Sequence, residues 1–283
     1  MKMHSLKTIL CIAFFGIALT SSNAATPKPI RALLITGGCC HDYGKQKDIL
    51  KKGIEARGHI IVDQIHSDDK STKPPLPIYG NPDYAKGYDV VIHDECSADI
   101  KDPAVIEGVL APHRKGIPGV NLHCAMHSYR FGNYGQPVKL SDANAHWFEY
   151  LGLQSTGHGP QDPIAIRFTD KSHAITKGLE DWKTVNEELY NNIQIFPTAK
   201  ALASGKQSLK QKDGTTKDVD SVVTWANDYK GTRVFSTTIG HNSATVEDAR
   251  YLDLVTRGIL WSTGKLDDNG KPKNGYGPAD ARK

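Results

Sequence analysis

The sequence lacks the features by which several protein classes are recognised. It has no internal repeat and no low-complexity tract, so nothing in it indicates a repeat protein or a disordered chain. Lysine and arginine (35) barely outnumber aspartate and glutamate (31), and the basic residues are scattered rather than interleaved with aromatic ones. A nucleic-acid-binding protein usually carries a clustered basic face, so we expect no nucleic-acid partner.

Long apolar runs are also scarce, and the only extended one lies near the start. Residues 9–19 are apolar, follow the basic Lys2 and Lys7, and are too few to span a bilayer, which takes roughly 20 residues. The small residues of Ser22-Asn23-Ala24 then fit a signal-peptidase site. We therefore predict a signal peptide over residues 1–24 and a periplasmic or secreted product without a stable membrane span; a retained interfacial anchor is the alternative.

Cysteine is rare, and four of the five cysteines follow the predicted cleavage site: Cys39, Cys40, Cys96 and Cys124. Disulfides are common in exported proteins. We do not expect the vicinal Cys39 and Cys40 to pair with each other, because the usual disulfide geometry needs more widely spaced Cα atoms. Burial of the cysteines as small side chains beside strand ends remains equally open.

The rest of the chain alternates between strand and helix patterns. The apolar run 31–36 predicts a strand buried on both faces, and the pattern that follows predicts a helix over 45–57 and a strand over 60–62. Further strands are predicted at 88–93, 119–123, 163–168, 219–226 and 232–238, and further helices at 103–115, 144–150 and 246–263.

This alternation is typical of an α/β fold with a doubly wound, mainly parallel sheet and helices on both faces. The later strands are expected to add an antiparallel extension. We place the domain at residues 25–265 and expect a flexible polar tail at 266–283.

Histidines follow four of the predicted strands. His41, His93, His123 and His241 each lie at or just after a strand end. In open parallel sheets the binding crevice lies beyond the carboxyl ends of the strands, so we expect a histidine-lined site there. His59 and His66 fall outside this pattern and are interpreted as surface residues, and His113 and His173 as structural ones.

The candidate catalytic residues are His41, His123, His241 and Glu188. Histidine and carboxylate suit proton transfer near neutral pH, and they are also zinc ligands. A divalent metal such as zinc, held by the three histidines, is therefore a candidate cofactor, although the HExxH motif is absent. The candidate substrate-binding residues are His127, Tyr129, Tyr190, Asn242 and Glu95. Trp147 fits either a sugar-stacking wall or the core.

Cys124 is an alternative catalytic residue, because it follows a strand at a strand-to-helix junction. That position resembles a nucleophile elbow, but the flanking glycines of the elbow motif are missing.

Several motifs occur together in a characteristic order. They are Gly37-Gly38 with His41, Asn121-Leu122-His123, the segment 173–179, Glu187-Glu188-Leu189-Tyr190, the segment 233–242 and Gly258 with Trp261. In this order and spacing the chain resembles the trehalose-utilisation (ThuA-like) family over residues 31–265. The resemblance implies a flavodoxin-like fold of the class I glutamine amidotransferase-like superfamily.

The same resemblance implies a changed chemistry in a shared pocket. His123 stands where the amidotransferases carry their cysteine nucleophile, and His241 lies near the position of their catalytic histidine, so glutamine hydrolysis is not expected. Proteins of this family are associated with carbohydrate catabolism, particularly of disaccharides oxidised to 3-keto sugars. A small carbohydrate is the expected ligand.

Three hypotheses follow from the sequence. The first is an exported hydrolase, lyase or isomerase that acts on a sugar or 3-keto sugar by histidine acid–base or metal-assisted chemistry. The second is a non-catalytic sugar-binding or accessory protein of the same pathway, and the third is a thiol hydrolase that uses Cys124. The oligomeric state stays open, a homo-oligomer included.

Overall fold

A nine-stranded sheet in the order β2-β1-β3-β4-β9-β8-β7-β5-β6 forms the centre of the protein in a computed structural model. The structure describes Met1 and residues 27–282, so the cleavage site and nearly all of the predicted signal peptide lie outside the described residues. The strands are β1 (Ile30–Gly38), β2 (Ile60–Ser67), β3 (Val90–Cys96), β4 (Gly119–Leu122), β5 (Leu153–Phe168), β6 (Trp182–Ile195), β7 (Ala199–Lys210), β8 (Thr216–Tyr229) and β9 (Thr232–Thr237).

The sheet has a parallel half and an antiparallel half. Strands β2, β1, β3, β4 and β9 run parallel, and β8, β7, β5 and β6 extend the sheet antiparallel from β9. The inner parallel strands are almost entirely buried, as expected where helices cover both faces. The predicted fold class, a doubly wound α/β sheet with an antiparallel extension, is confirmed.

Helices cover both faces of the parallel half. They are α1 (Tyr43–Arg57), α2 (Pro103–Arg114), α3 (His146–Leu151), α4 (Ser243–Glu247) and α5 (Ala249–Ser262). Helices α1 and α5 contribute to one apolar core, and α2 and α3 contribute to a second core on the opposite face. Within the part of the chain that the structure describes, no helix is both long enough and apolar enough to cross a membrane.

The antiparallel half differs most from the sequence-based expectation. Strands β6 and β7 were not predicted, and β5 begins at Leu153 rather than at residue 163. Glycine and proline between residues 157 and 163 suggest a loop, yet the strand absorbs them through register shifts against β6. The predicted last helix is two helices, because Asp248 ends α4 and caps the N-terminus of α5 with its side chain.

The segment after α5, expected to be a flexible tail, makes specific contacts with the domain. Leu266 is buried and pairs with Pro272 in an isolated β-bridge. The carbonyl oxygen of Tyr276 accepts a hydrogen bond from the backbone N–H of His59. These contacts attach residues 266–276 of the expected tail to the domain.

Candidate active site

The end of β1 places His41 at the carboxyl edge of the sheet. Gly37 and Gly38 have φ values of 142° and 101°, and a Cβ atom on Gly37 would lie 2.8 Å from the carbonyl oxygen of Ser67. A Cβ atom on Gly38 would collide with the carbonyl oxygen of Cys96. Only glycine allows this close approach between strands at positive φ, so the glycine pair fixes the loop that carries His41.

His123 lies at the end of β4 in a strained backbone conformation. Its φ of 40° is in the left-handed region, which costs a non-glycine residue about 1–3 kcal/mol and is often found at functional sites. The Nδ1 atom of His123 lies 2.6 Å from the carbonyl oxygen of Thr238, so it donates to that oxygen. In the neutral imidazole the other ring nitrogen, Nε2, then carries no proton and can accept a hydrogen bond or bind a metal.

A buried carboxylate holds the loop that carries His241. Glu187 is fully buried and accepts hydrogen bonds from the backbone N–H groups of Gly240, His241 and Asn242, at 3.4, 3.0 and 2.9 Å. From α1, the Gln46 side-chain amide donates to the carbonyl oxygen of His241 at 3.0 Å. Hydrogen bonds therefore hold both the backbone N–H groups and a carbonyl oxygen of the loop between β9 and α4.

These three loops bring His41, His123 and His241 together, as predicted. The centroid of the His41 ring lies 4.6 Å from that of His123 and 4.7 Å from that of His241, and the last two are 5.5 Å apart. One nitrogen from each ring lies within 4.8 Å of the others. The Nδ1 atom of His41 is buried and has no hydrogen-bond partner among the described residues. An orphaned buried nitrogen in such a cluster suits a ligand that the structure does not contain.

Glu188 contacts this histidine cluster, as predicted. Its carboxylate oxygens lie 3.5 Å from His123 Nε2 and 3.2 Å from His241 Nδ1. Burial acts to raise the pKa of Glu188, but its contacts with these two histidines outweigh burial and lower the pKa well below the usual range. The contact with Glu188 in turn raises the pKa of His241. Glu188 is therefore an anion at neutral pH.

The histidine cluster borders a polar cleft of about 640 Å³. The cleft lies between the loops that follow β1, β2 and β9, and its walls include His41, Asp42, Asp68, Lys70 and Asn242. The side chain of Asn242 is committed to the N-terminus of α4, where it accepts from the N–H of Ala244. The cleft offers several hydrogen-bonding groups to a polar ligand.

Three residues expected in the site do not reach it. Glu95 and Tyr129 are buried, and the Tyr129 hydroxyl donates to the Glu95 carboxylate at 2.7 Å. His93 lies 3.0 Å from the same carboxylate and 3.0 Å from His113, which confirms a structural role for His113. Side chains alternate between the faces of a strand, so His93 and Glu95 share one face of β3 while Cys96 faces the other.

Tyr190 and His127 are buried next to His123, on the protein side of the histidine cluster. The Tyr190 hydroxyl lies 3.3 Å from His123 Nε2, and the Tyr190 ring stacks on His127 with centroids 4.0 Å apart. Both side chains are buried, and His127 Nε2 lies 2.8 Å from the Ser155 hydroxyl. They therefore position His123 rather than line an open surface. Trp147 is in the core, where its indole N–H donates to the carbonyl oxygen of Ala125.

Four residues near the site were not predicted from the sequence. His66, interpreted as a surface residue, lines the cleft and bonds to Thr36, because β2 continues to Ser67 instead of ending at residue 62. His158 and Gln161 lie on β5, with nitrogens 3.6 Å and 3.2 Å from Glu188, in a stretch that resembled a loop. Glu187 was noticed only as part of a motif, since no strand had been predicted there.

The cysteines also differ from expectation. Cys39 and Cys40 form a disulfide, against the prediction that they would not pair, because the turn at Cys40 (φ 79°) brings the adjacent side chains together. Cys124 is a buried free thiol. Its hydrogen bond with Cys96, together with burial, raises its pKa well above the usual value. Such a thiol is a poor nucleophile, so the thiol-hydrolase hypothesis gains no support.

The fold and the site together define a doubly wound α/β protein with a histidine-lined cleft. The chain belongs to the ThuA family, described by the words trehalose utilisation, whose model matches residues 31–262. Membership supports a role in carbohydrate utilisation. A search of curated proteins gave no significant match.

Solved structures share this fold at low sequence identity. A ThuA-like protein from Parabacteroides merdae is 22% identical with a TM-score of 0.61, and the match covers 90% of this chain and 99% of that one. A ThuA-like protein from Bacteroides uniformis is 16% identical with a TM-score of 0.60 and the same coverage. The carbohydrate deacetylase Agd3 is 13% identical with a TM-score of 0.50, over 84% of this chain and 33% of that one.

Proposed function

We propose that this protein is an exported enzyme of carbohydrate catabolism whose three-histidine cluster holds a divalent metal ion such as zinc. The observation that carries the proposal is the convergence of His41, His123 and His241, with one nitrogen of each within 4.8 Å of the others. The substrate class is a sugar, or a 3-keto sugar or glycoside, in keeping with the family's role in carbohydrate utilisation.

The donor set fits a metal because His41 favours the neutral form. Burial, together with the neighbouring His123 and His241, lowers the pKa of His41 to about 2. Neutral imidazole is the form that binds zinc, and three protein ligands with one open position are typical of catalytic zinc sites. The hydrogen bond from His123 Nδ1 to Thr238 is the kind of second contact that orients a metal-binding histidine.

A bound metal would supply Lewis-acid polarisation of a carbonyl or of sugar hydroxyls. The protein's own groups have separate tasks. Glu188 contacts His123 and His241 and keeps a negative charge beside the cluster. Gln161 donates to Glu188 and so orients its carboxylate. The polar walls of the cleft can hydrogen-bond to sugar hydroxyls.

Turnover of a 3-keto-disaccharide, with and without a chelator, tests the proposed function. We expect activity in the wild type that is lost on chelation and in both His123→Ala and His241→Ala. His59→Ala is the matched control, because His59 bonds to the backbone of Gly275 and lies outside the cleft lining. Tight sugar binding without turnover under any metal condition would instead favour a sugar-binding protein.

Export is a separate part of the proposal and rests on the basic, apolar and small-residue pattern of residues 1–24. N-terminal sequencing of the protein recovered from the periplasm or medium of the expressing cell tests it. The expected first residue is Ala25, and an intact N-terminus on a cytoplasmic product would contradict it.

A further inference from the structure

Four cysteines lie together beside the histidine cluster, and we call Cys39, Cys40, Cys96 and Cys124 the sulfur cluster. Cys39 and Cys40 form a disulfide, and the Sγ atom of Cys96 lies 3.6 Å from that of Cys39. Cys96 and Cys124 are free thiols that pack together with Tyr43. A free thiol in van der Waals contact with a disulfide sulfur is the starting arrangement for thiol–disulfide exchange.

The members of the sulfur cluster differ in their access to solvent. Cys40 is exposed and lines the polar cleft. Cys96 and Cys124 are only 3% and 6% exposed. A reagent or partner thiol in the cleft can therefore reach Cys40 but neither of the two free thiols directly.

We propose that the sulfur cluster is a thiol–disulfide exchange site that presents Cys40 to small thiols and disulfides in the cleft. Cys96 loses its proton to solvent and attacks Cys39 Sγ. The new Cys39–Cys96 bond forms as the Cys39–Cys40 bond breaks, and the Cys40 sulfur leaves as a thiolate that takes up a proton. The step conserves the number of disulfides and needs no external oxidant.

The exposed Cys40 thiol is then the modification site. A small disulfide R–S–S–R exchanges with it to give Cys40–S–S–R and a released thiolate. The exchange also links the loop after β1 to the end of β3, because Cys39 and Cys96 belong to those two segments. The proposal is independent of the metal and of the enzymatic activity proposed above.

Native alkylation followed by peptide mapping tests the exchange. The folded protein, prepared without reductant, is treated with iodoacetamide, then denatured and treated with a heavier alkylating reagent, and digested with trypsin without reduction. Tryptic cleavage places Cys39 and Cys40 in peptide 32–45, Cys96 in peptide 87–101 and Cys124 in peptide 116–130. We expect time-dependent growth of a disulfide-linked pair of peptides 32–45 and 87–101, with the iodoacetamide label on Cys40.

Two serine variants give the matched comparison. Cys96→Ser should abolish the native label on Cys40, whereas Cys124→Ser should retain both the label and the cross-link. The cross-linked peptide in the wild type decides the matter even where a variant folds poorly. An unchanged peptide 32–45 without native label would overturn the proposal, as would a label on Cys39 or a cross-link to peptide 116–130.

Discussion

Two adjacent glutamates on β6 have different tasks. Glu187 is fully buried and binds three backbone N–H groups of the loop at residues 240–242. Glu188 is 6% exposed and contacts the side chains of His123 and His241. Since neighbouring residues of a strand point to opposite sides, one carboxylate can support the loop while the other serves the histidine cluster.

Amide substitution of each glutamate separates these tasks. Glu187→Gln loses the charge that favours three N–H donors, and we expect it to destabilise the fold by about 1–3 kcal/mol. Glu188→Gln should cost less stability than Glu187→Gln, because it releases side chains rather than a backbone loop. It should weaken zinc binding about 10- to 100-fold, as loss of a group that orients metal ligands does. Denaturant unfolding and zinc titration of both variants check this. Equal stability loss in both, or unchanged zinc affinity in Glu188→Gln, would contradict it.

The sequence predicted the residues that follow strand ends better than those within strands. His41, His123 and His241 each follow a parallel strand, and the topology of such a sheet brings these ends together. Glu95 and Tyr129 were misplaced, because a position near a strand end does not reveal which face a side chain occupies. His158 could not be predicted, since its contact with Glu188 depends on the pairing of β5 with β6.

At the level of elements, the packing of α5 on β9 supports the site. A Cβ atom on Gly258 of α5 would lie 2.5 Å from Cγ of Phe235, a fully buried residue of β9. Because Phe235 is fully buried, its ring cannot move away from α5, so α5 needs a glycine at position 258. The loop that carries His241 runs from β9 to α4, which directly precedes α5, so its position depends on the close approach of β9 and α5.

Gly258→Ala tests this packing. Overpacking of a core costs about 1–3 kcal/mol, which exceeds the helix-propensity gain of about 1 kcal/mol from replacing glycine. We therefore expect a lower thermal midpoint, by a few degrees. Gly80→Ala is the control, because a Cβ atom there would meet nothing within 4 Å, and it should leave the midpoint unchanged. A Gly258→Ala protein at least as stable as the wild type would refute the argument.

The parallel half of the sheet was predictable because its strands are continuous apolar runs separated by amphipathic helices. The antiparallel half was not, because β6 and β7 mix exposed polar positions with buried ones and their pairing is set by distant parts of the chain. Short-range patterns carry little information on such pairing. Several residues of the candidate site, including Glu187 and Glu188, lie on these less predictable antiparallel strands.

At the scale of the whole molecule, buried histidines link stability to pH. Burial lowers the pKa of His113 and of His127 well below the usual value, and that of His41 to about 2. The unfolded chain takes up these protons as the pH falls through about 6.5, while the folded chain does not. Stability should therefore fall between pH 7 and pH 5, by at most about 1.4 kcal/mol per pH unit for each such histidine.

Denaturant unfolding at pH 7 and pH 5 measures this linkage. We expect the wild type to be less stable at pH 5, and we expect a smaller difference between the two pH values in His113→Gln, which lacks one buried imidazole. Each variant is compared only with itself, so the cost of the substitution cancels. An identical pH difference in the two proteins would show that His113 does not take part.

The most direct test of the central claim is the metal content of the purified protein. The account predicts one divalent metal ion per chain in the wild type, purified without chelator and measured by elemental analysis. It predicts loss of that ion in His123→Ala, and its retention in the control His59→Ala. Wild-type protein that is free of metal and takes up no zinc, or His123→Ala protein that keeps the wild-type metal content, would contradict the assignment of the three-histidine cluster as a metal site.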